Sequence, residues 1–378
     1  MKDKSRDART ACTVASDDQF SKDCHKLAKT RFRSEHLSRR VATSPSVDEL
    51  RSLAEREFVD SYGLFPTCAV FAPGCLTVAD GKCADLAENR SLSMAVQLVT
   101  LVVGKRSHGS KRCQVKTLLD SGERESCEFR LNDANLRTST EEALWIRCLK
   151  GTIRSFKERR GTGWAKNHFL YGSTAQVPGF KVVIVSSLPA KLGLGSNSAL
   201  VVALYTFLEA IANTCTGNVM EKMFACQLAE RLATNSCKVR ASDVLVSIIG
   251  EEGRIFAFDG QSLDVDRLNW NVDMDVQLVL VELISNDFEK GRSSSAQRAS
   301  ETRCEQVATA MNTMSRWRAQ HPTECASMMG LLFPRETMEM VNDAIVRDER
   351  IAKMRNAIER ERWEEFGRIY RQMVRRAA

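Results

Sequence analysis

Residues 187–200 read SLPAKLGLGSNSAL. Gly193 and Gly195 carry no Cβ, so a phosphate can come close to the main chain at both points. An apolar run starts at Ser198 and predicts a helix over 198–212. The first turn of such a helix turns unpaired N–H groups and a positive dipole end towards an anion. Gly193, Leu194, Gly195, Ser196, Asn197 and Ser198 are therefore the candidate phosphate cradle. Ser196 or Ser198 adds a hydroxyl for a phosphate or for a metal ion. The P-loop pattern GxxxxGK[ST] is absent. The plain alternative is an ordinary strand-loop-helix connection; Pro189, the GLGS core and the helix that follows directly favour phosphate.

The second group able to do chemistry is Asp243. A carboxylate beside a hydroxyl can accept its proton or orient it. Ala241-Ser242-Asp243 also precedes an apolar run, so a helix cap is the competing role, and by the residues alone it is the better one.

Several elements must position these groups. Phe180 to Ser186 (FKVVIVS) reads as the strand that feeds the loop. A helix is expected over 220–234, and residues 243–249 and then 254–258 continue the domain. Upstream, Ser46-Val47-Asp48-Glu49 is a capping signal. The helix after it places Leu50, Leu53, Ala54, Phe58 and Val59 on one stripe and stops at Gly63. Ala69-Val70-Phe71 reads as a short strand running into Ala72-Pro73-Gly74, and QLVTLVV over 97–103 as a buried strand. A strand or two is expected within 105–140, a helix over 138–156, and a Gly-rich basic loop over 157–177. Residues 276–284 (VQLVLVELI) read as another buried strand. One long helix is expected over 346–376, with Ile351, Met354, Ile358, Trp363, Phe366, Tyr370 and Met373 on a packed face.

Composition narrows the class. The 378 residues suit two modest domains. Hydrophobic residues make up 43% and charged residues 27%, ordinary for a globular protein. The net charge of +7 is scattered, with no basic stripe interleaved with aromatics, which argues against nucleic acid. Thirteen cysteines include no CxxC pair, and nothing beside Cys24-His25 completes a zinc site; reduced thiols are expected. No apolar run is long enough to span a bilayer, and the N-terminus lacks a signal-peptide core. A cytoplasmic protein without membrane contact is the expectation. Residues 1–46 are polar and of mixed charge, the composition of a disordered tail.

The loop over 187–200 resembles the nucleotide loop of the GHMP kinases, PxxxGLGSSAA. The rest of the chain resembles galactokinases in order and spacing. Residues 50–74 (LRSLAEREFVDSYGLFPTCAVFAPG) look like that family's first helix and its APG. Ser93-Met94-Ala95 before QLVTLVVG looks like its PMA-then-strand segment. Trp145 with Lys150-Gly151 looks like its WxxYxKG helix, Val177-Pro178-Gly179-Phe180 like the approach to the nucleotide strand, and Cys226-Gln227-Leu228-Ala229-Glu230 like its CQxAE helix. Residues 243–250 (DVLVSIIG) look like the segment that begins at its catalytic Asp. The likeness runs from about residue 47 onward.

There are departures. Where galactokinases follow APG with an arginine at the transferred phosphoryl group, this chain has Cys75. The sugar-holding GEHTDY becomes Gly81-Lys82-Cys83-Ala84-Asp85-Leu86, so Asp85 alone survives, either to accept sugar hydroxyls or simply to be solvated. PCG before the catalytic Asp becomes Lys238-Val239-Arg240. The sugar-contacting Tyr falls near Gln297. The third, Gly-rich motif has no counterpart, and roughly the last quarter of the family's length is not present.

The resemblance implies an α+β GHMP kinase fold: an N-terminal domain over 47–258 and an incomplete C-terminal domain over 259–378. It implies phosphoryl transfer from ATP, with Mg²⁺, to galactose or a related sugar, and it tips Asp243 towards the role of base. Ser196 and Ser198 would serve the metal, and Asp85 the sugar. The losses point to impaired activity, with a pseudokinase acting by nucleotide or sugar binding as the alternative. An incomplete second domain would leave the 276–284 strand with an open edge, so self-association or a protein partner is expected.

Overall fold

The computed structural model describes residues 45–81, 90–118, 124–161, 177–190, 192–235, 239–270, parts of 302–317, and 325–374. The expected tail up to residue 44, Lys82, Cys83 and Asp85, Gln297, and the expected 276–284 strand with its open edge lie outside the described residues. The chain forms two compact units. The first takes the described residues of Met1–Leu76 and Met94–Glu252, the second those of Thr77–Ser93 and Gly253–Ala378.

In the first unit, helix α1 (Val47–Tyr62) starts with the full capping box: Glu49 N–H donates to the Ser46 hydroxyl, and the Ser46 N–H donates to the Glu49 carboxylate at 2.8 Å. It ends at Gly63, which takes the left-handed conformation at φ 62°. Leu50, Ala54 and Phe58 are buried as the stripe requires, whereas Leu53 is exposed. The buried trio packs on Val99, Leu101 and Val103 of β2 (Arg90–Ser107) and on Val183 and Val185 of β5 (Gly179–Ser186).

The sheet of this unit is mixed. β4 (Arg124–Arg130) pairs antiparallel with β3 (Arg112–Leu118), β3 runs parallel to β5, and β5 runs antiparallel to β2, with Leu101 opposite Val185. The parallel β3–β5 pair requires a crossover connection, and α2 (Leu144–Gly161) lies on it. β1 (Cys68–Asp80) pairs with β2. It is longer than expected and carries Pro73 within it, a residue that sheets confine to edges and bulges because it cannot donate to the ladder.

Three further helices complete the unit: α3 (Ser196–Ile211), α4 (Val219–Thr234) and α5 (Ala241–Ile249). On α3, Phe207 meets Phe180 edge-on at 5.5 Å. α2 and α4 approach so closely that a Cβ on Gly151 would stand 2.4 Å from the Ala229 carbonyl oxygen, and Ser155 donates to the Ala225 carbonyl at 2.7 Å. Only glycine permits that spacing at position 151.

In the second unit the first residues of β2 pair with β6 (Arg254–Asp259), Leu92 opposite Ala257, and β6 pairs with β7 (Val265–Asn269). Arg90 Nε holds Asp259 Oδ2 at 3.0 Å. The helices α6 (Cys325–Leu332), α7 (Arg335–Glu359) and α8 (Trp363–Val374) follow. The single helix expected over 346–376 is thus two. Glu361 takes φ 54° between them, and α8 turns so that Trp363 and Phe366 meet Trp270 edge-on at 5.1 and 5.6 Å. Aromatic packing outweighs one strained residue here.

Candidate functional site

All of the site described here belongs to the first unit. β5 delivers the chain into residues 187–195, and α3 begins at once. Gly195 is the N-cap of α3, at φ 64° and ψ 32°, and provides no side-chain cap. The first helical bond runs from Ala199 N to Gly195 O at 2.9 Å. The amides of Ser196, Asn197 and Ser198 thus head a helix whose preceding residue leaves them uncapped, which is the arrangement that receives anions. Gly193, at φ 71°, is exposed, Leu194 is buried, and Ser196 and Asn197 are half-buried.

Gly195 is also where three segments meet. A Cβ added there would stand 3.3 Å from both the Cβ and the backbone N of Cys75, and 3.8 Å from the Asp243 Cβ. Cys75 N donates to Leu194 O at 2.9 Å, which fastens β1 to the loop. Cys75 itself is fully buried. α5 begins at Ala241 with Arg240 as its N-cap, so Asp243 is the third residue of the helix and not its cap. An acid in the first turn is favoured by the helix dipole, and the Asp243 carboxylate lies 3.7 Å from the Arg240 guanidinium. Tertiary structure therefore brings Asp243 to the loop at Gly195. Asp85 and Lys191 lie outside the described residues.

Glu230 on α4 is the group whose role the sequence reading left out. Ser198 donates its hydroxyl to Glu230 Oε2 at 2.7 Å, and both residues are buried. Burial pushes the Glu230 carboxyl up to about 7; the Ser198 hydrogen bond opposes that rise and the Asp243 charge adds to it. A buried carboxyl raised in this way is stabilised in its ionised form by a cation. Its oxygen, with the Ser198 hydroxyl, offers the hard donors that Mg²⁺ prefers. The pair fits such an ion at the head of α3; Ser196 is placed by chain order only. The signal available in the sequence was Glu230 within CQLAE, read there as a family landmark.

Among the described residues no helix is long and apolar enough to cross a membrane, and Cys68, Cys75, Cys113, Cys127, Cys148, Cys215 and Cys226 are free thiols.

Residues 148–251, which hold the loop, Glu230 and Asp243, match the family described as "GHMP kinases N terminal domain". Over those residues the chain is similar to the GHMP kinases. Its sequence is also similar to the galactokinase of Canis lupus familiaris, 28% identical over 276 residues, covering 73% of this chain and 64% of the relative. It is likewise similar to the galactokinase of Homo sapiens, 28% identical over 272 residues, covering 72% of this chain and 63% of the relative. The match thus spans somewhat less than two thirds of these relatives' length. In fold the chain is similar to Lactococcus lactis galactokinase complexed with galactose, with a TM-score of 0.60 at 15% identity, over 85% of this chain and 77% of that one. The fold is accordingly α+β and of the GHMP kinase type, as the motifs predict.

Proposed function

We propose that this chain binds ATP and transfers its terminal phosphoryl group to the anomeric hydroxyl of galactose or a related sugar. The observation that supports this best is the meeting of Gly195 and Asp243: the Asp243 Cβ lies 3.8 Å from where a Cβ on Gly195 would stand, beside the candidate phosphate loop. The amides at the head of α3 would hold the phosphates. Asp243 would take the proton from the sugar hydroxyl as its oxygen attacks phosphorus, and ADP would leave. Ser198 and Glu230, with Ser196 near them in the chain, would hold Mg²⁺, which when bound offsets phosphate charge. Asp85 remains the candidate for the sugar. Turnover should be low, because Cys75 stands where galactokinases carry an arginine. An arginine that stabilises phosphoryl-transfer charge is worth about 10³–10⁵ in rate, or roughly 4–7 kcal/mol of barrier.

The burial of Cys75 against the loop favours a second reading, in which the chain binds nucleotide without turning it over. A coupled assay with galactose, ATP and Mg²⁺, run beside calorimetry with ATP alone, decides between them. Sugar-dependent ADP release that Asp243→Asn abolishes supports the kinase reading. Nucleotide binding without release supports the second, and absence of both sinks the two together.

A further inference from the structure

Asp243 and Glu230 bring two carboxyl groups to the loop, and the Asp243 charge is already felt at Glu230. A triphosphate arriving there meets negative charge unless a cation offsets it. Cys75, where the resemblance to galactokinases places an arginine, contributes no positive charge and is fully buried. Among the described residues Asp243 is paired with Arg240, whose Nη1 stands 3.7 Å from Oδ2 and whose side chain is 40% exposed. A guanidinium has five N–H donors in a planar fork, enough to keep an acid on one edge and a phosphate oxygen on another. Arg240 starts α5, and the helix that it opens carries Asp243 against Gly195.

We propose that Arg240 is the phosphate-binding cation of this site: it engages the terminal phosphate of a bound nucleoside triphosphate from the α5 side and replaces the arginine missing at position 75. The proposal rests on the phosphate reading of the loop. It makes Arg240 a residue that distinguishes ATP from ADP, because the contact is to the phosphate that ADP lacks. It also gives Arg240 a second effect, since the same guanidinium offsets the Asp243 charge before nucleotide arrives.

The test is calorimetric titration of the full chain with ATP–Mg²⁺ and, separately, with ADP–Mg²⁺. The proteins are wild type, Arg240→Gln and Arg240→Lys, each with a thermal melt to establish folding. Arg240→Gln should weaken ATP roughly tenfold or more, the scale of a lost charge-assisted hydrogen bond, while leaving ADP as in wild type. Arg240→Lys keeps a charge but not the fork, so it should weaken ATP by a smaller factor and leave ADP unchanged. Equal losses for both nucleotides, or no loss for ATP, overturn the proposal while the loop reading stands. A wild type that binds neither nucleotide overturns the loop reading, and the role of Arg240 falls with it.

Discussion

Ser198, in the first turn of α3, donates its hydroxyl to the buried carboxylate of Glu230 on α4 at 2.7 Å. The bond ties the head of α3 to a neighbouring helix, and it joins a hydroxyl to a carboxyl that burial pushes up to about 7.

The first prediction concerns pH. The folded-state value of Glu230 is raised, so between about 4.5 and 7 the folded chain holds a proton that the unfolded chain releases. The resulting stabilisation is present at low pH and fades as pH rises. Between pH 5 and 8 this one group should remove about 2–3 kcal/mol of stability. Glu230→Gln should flatten that part of the profile in urea unfolding. An unchanged slope would show that Glu230 is already ionised at low pH. Mg²⁺ binding at the Ser198–Glu230 pair should strengthen over the same range, because proton and cation compete for one carboxylate.

Position 195 tests the meeting of loop, β1 and α5. Alanine there would have to hold φ 64° and place its Cβ 3.3 Å from Cys75. The left-handed conformation alone costs roughly 1–2 kcal/mol for a residue with a side chain. Gly195→Ala should therefore lower stability by at least that much and weaken nucleotide binding, while Gly217→Ala, which meets open space, should do neither. Unfolding curves and calorimetry on both variants check this.

Far from the loop, α3 and α4 share a buried ion pair. Lys222 Nζ lies 2.7 Å from Glu209 Oε2 and donates to Thr206, and Glu209 Oε1 accepts the Thr216 N–H. Lys222→Met leaves Glu209 buried without its cation, which should cost about 3–5 kcal/mol. Adding Glu209→Gln should recover part of that loss, because the amide oxygen still accepts from Thr216. A double variant no better than Lys222→Met would show that the pair's value lies in packing.

A smaller effect tests the local code. Ser46→Ala removes the side-chain acceptor of the α1 capping box and should cost about 1 kcal/mol, read as a shift in urea midpoint at constant slope.

Local chemistry made much of this chain legible. Ser46 and Glu49 announced α1, the β-branched run at 180–186 announced β5, and the glycine spacing at 193 and 195 announced the turn into α3. Each of these signals depends on residues a few positions apart, so the backbone preferences that create them are already present in the unfolded chain. The order of motifs did the same for the GHMP kinase fold.

Position 243 could not be settled that way. By its neighbours alone, an Asp before an apolar run reads better as a helix cap than as a base. What separates them is that α5 begins two residues earlier and that its first turn lies against Gly195, about 50 residues away in the chain. Glu230 is a similar case. Its sequence neighbours are those of any amphipathic helix, and its raised pKa exists only because packing buries the carboxyl and brings Asp243 near it, against the pull of the Ser198 hydrogen bond. The break at 360–362 likewise needs Trp270, which lies some 90 residues upstream of Trp363. Side-chain periodicity reports which face of an element is apolar; which groups then share a buried volume, and with what charge, is decided by packing between segments that no local pattern links.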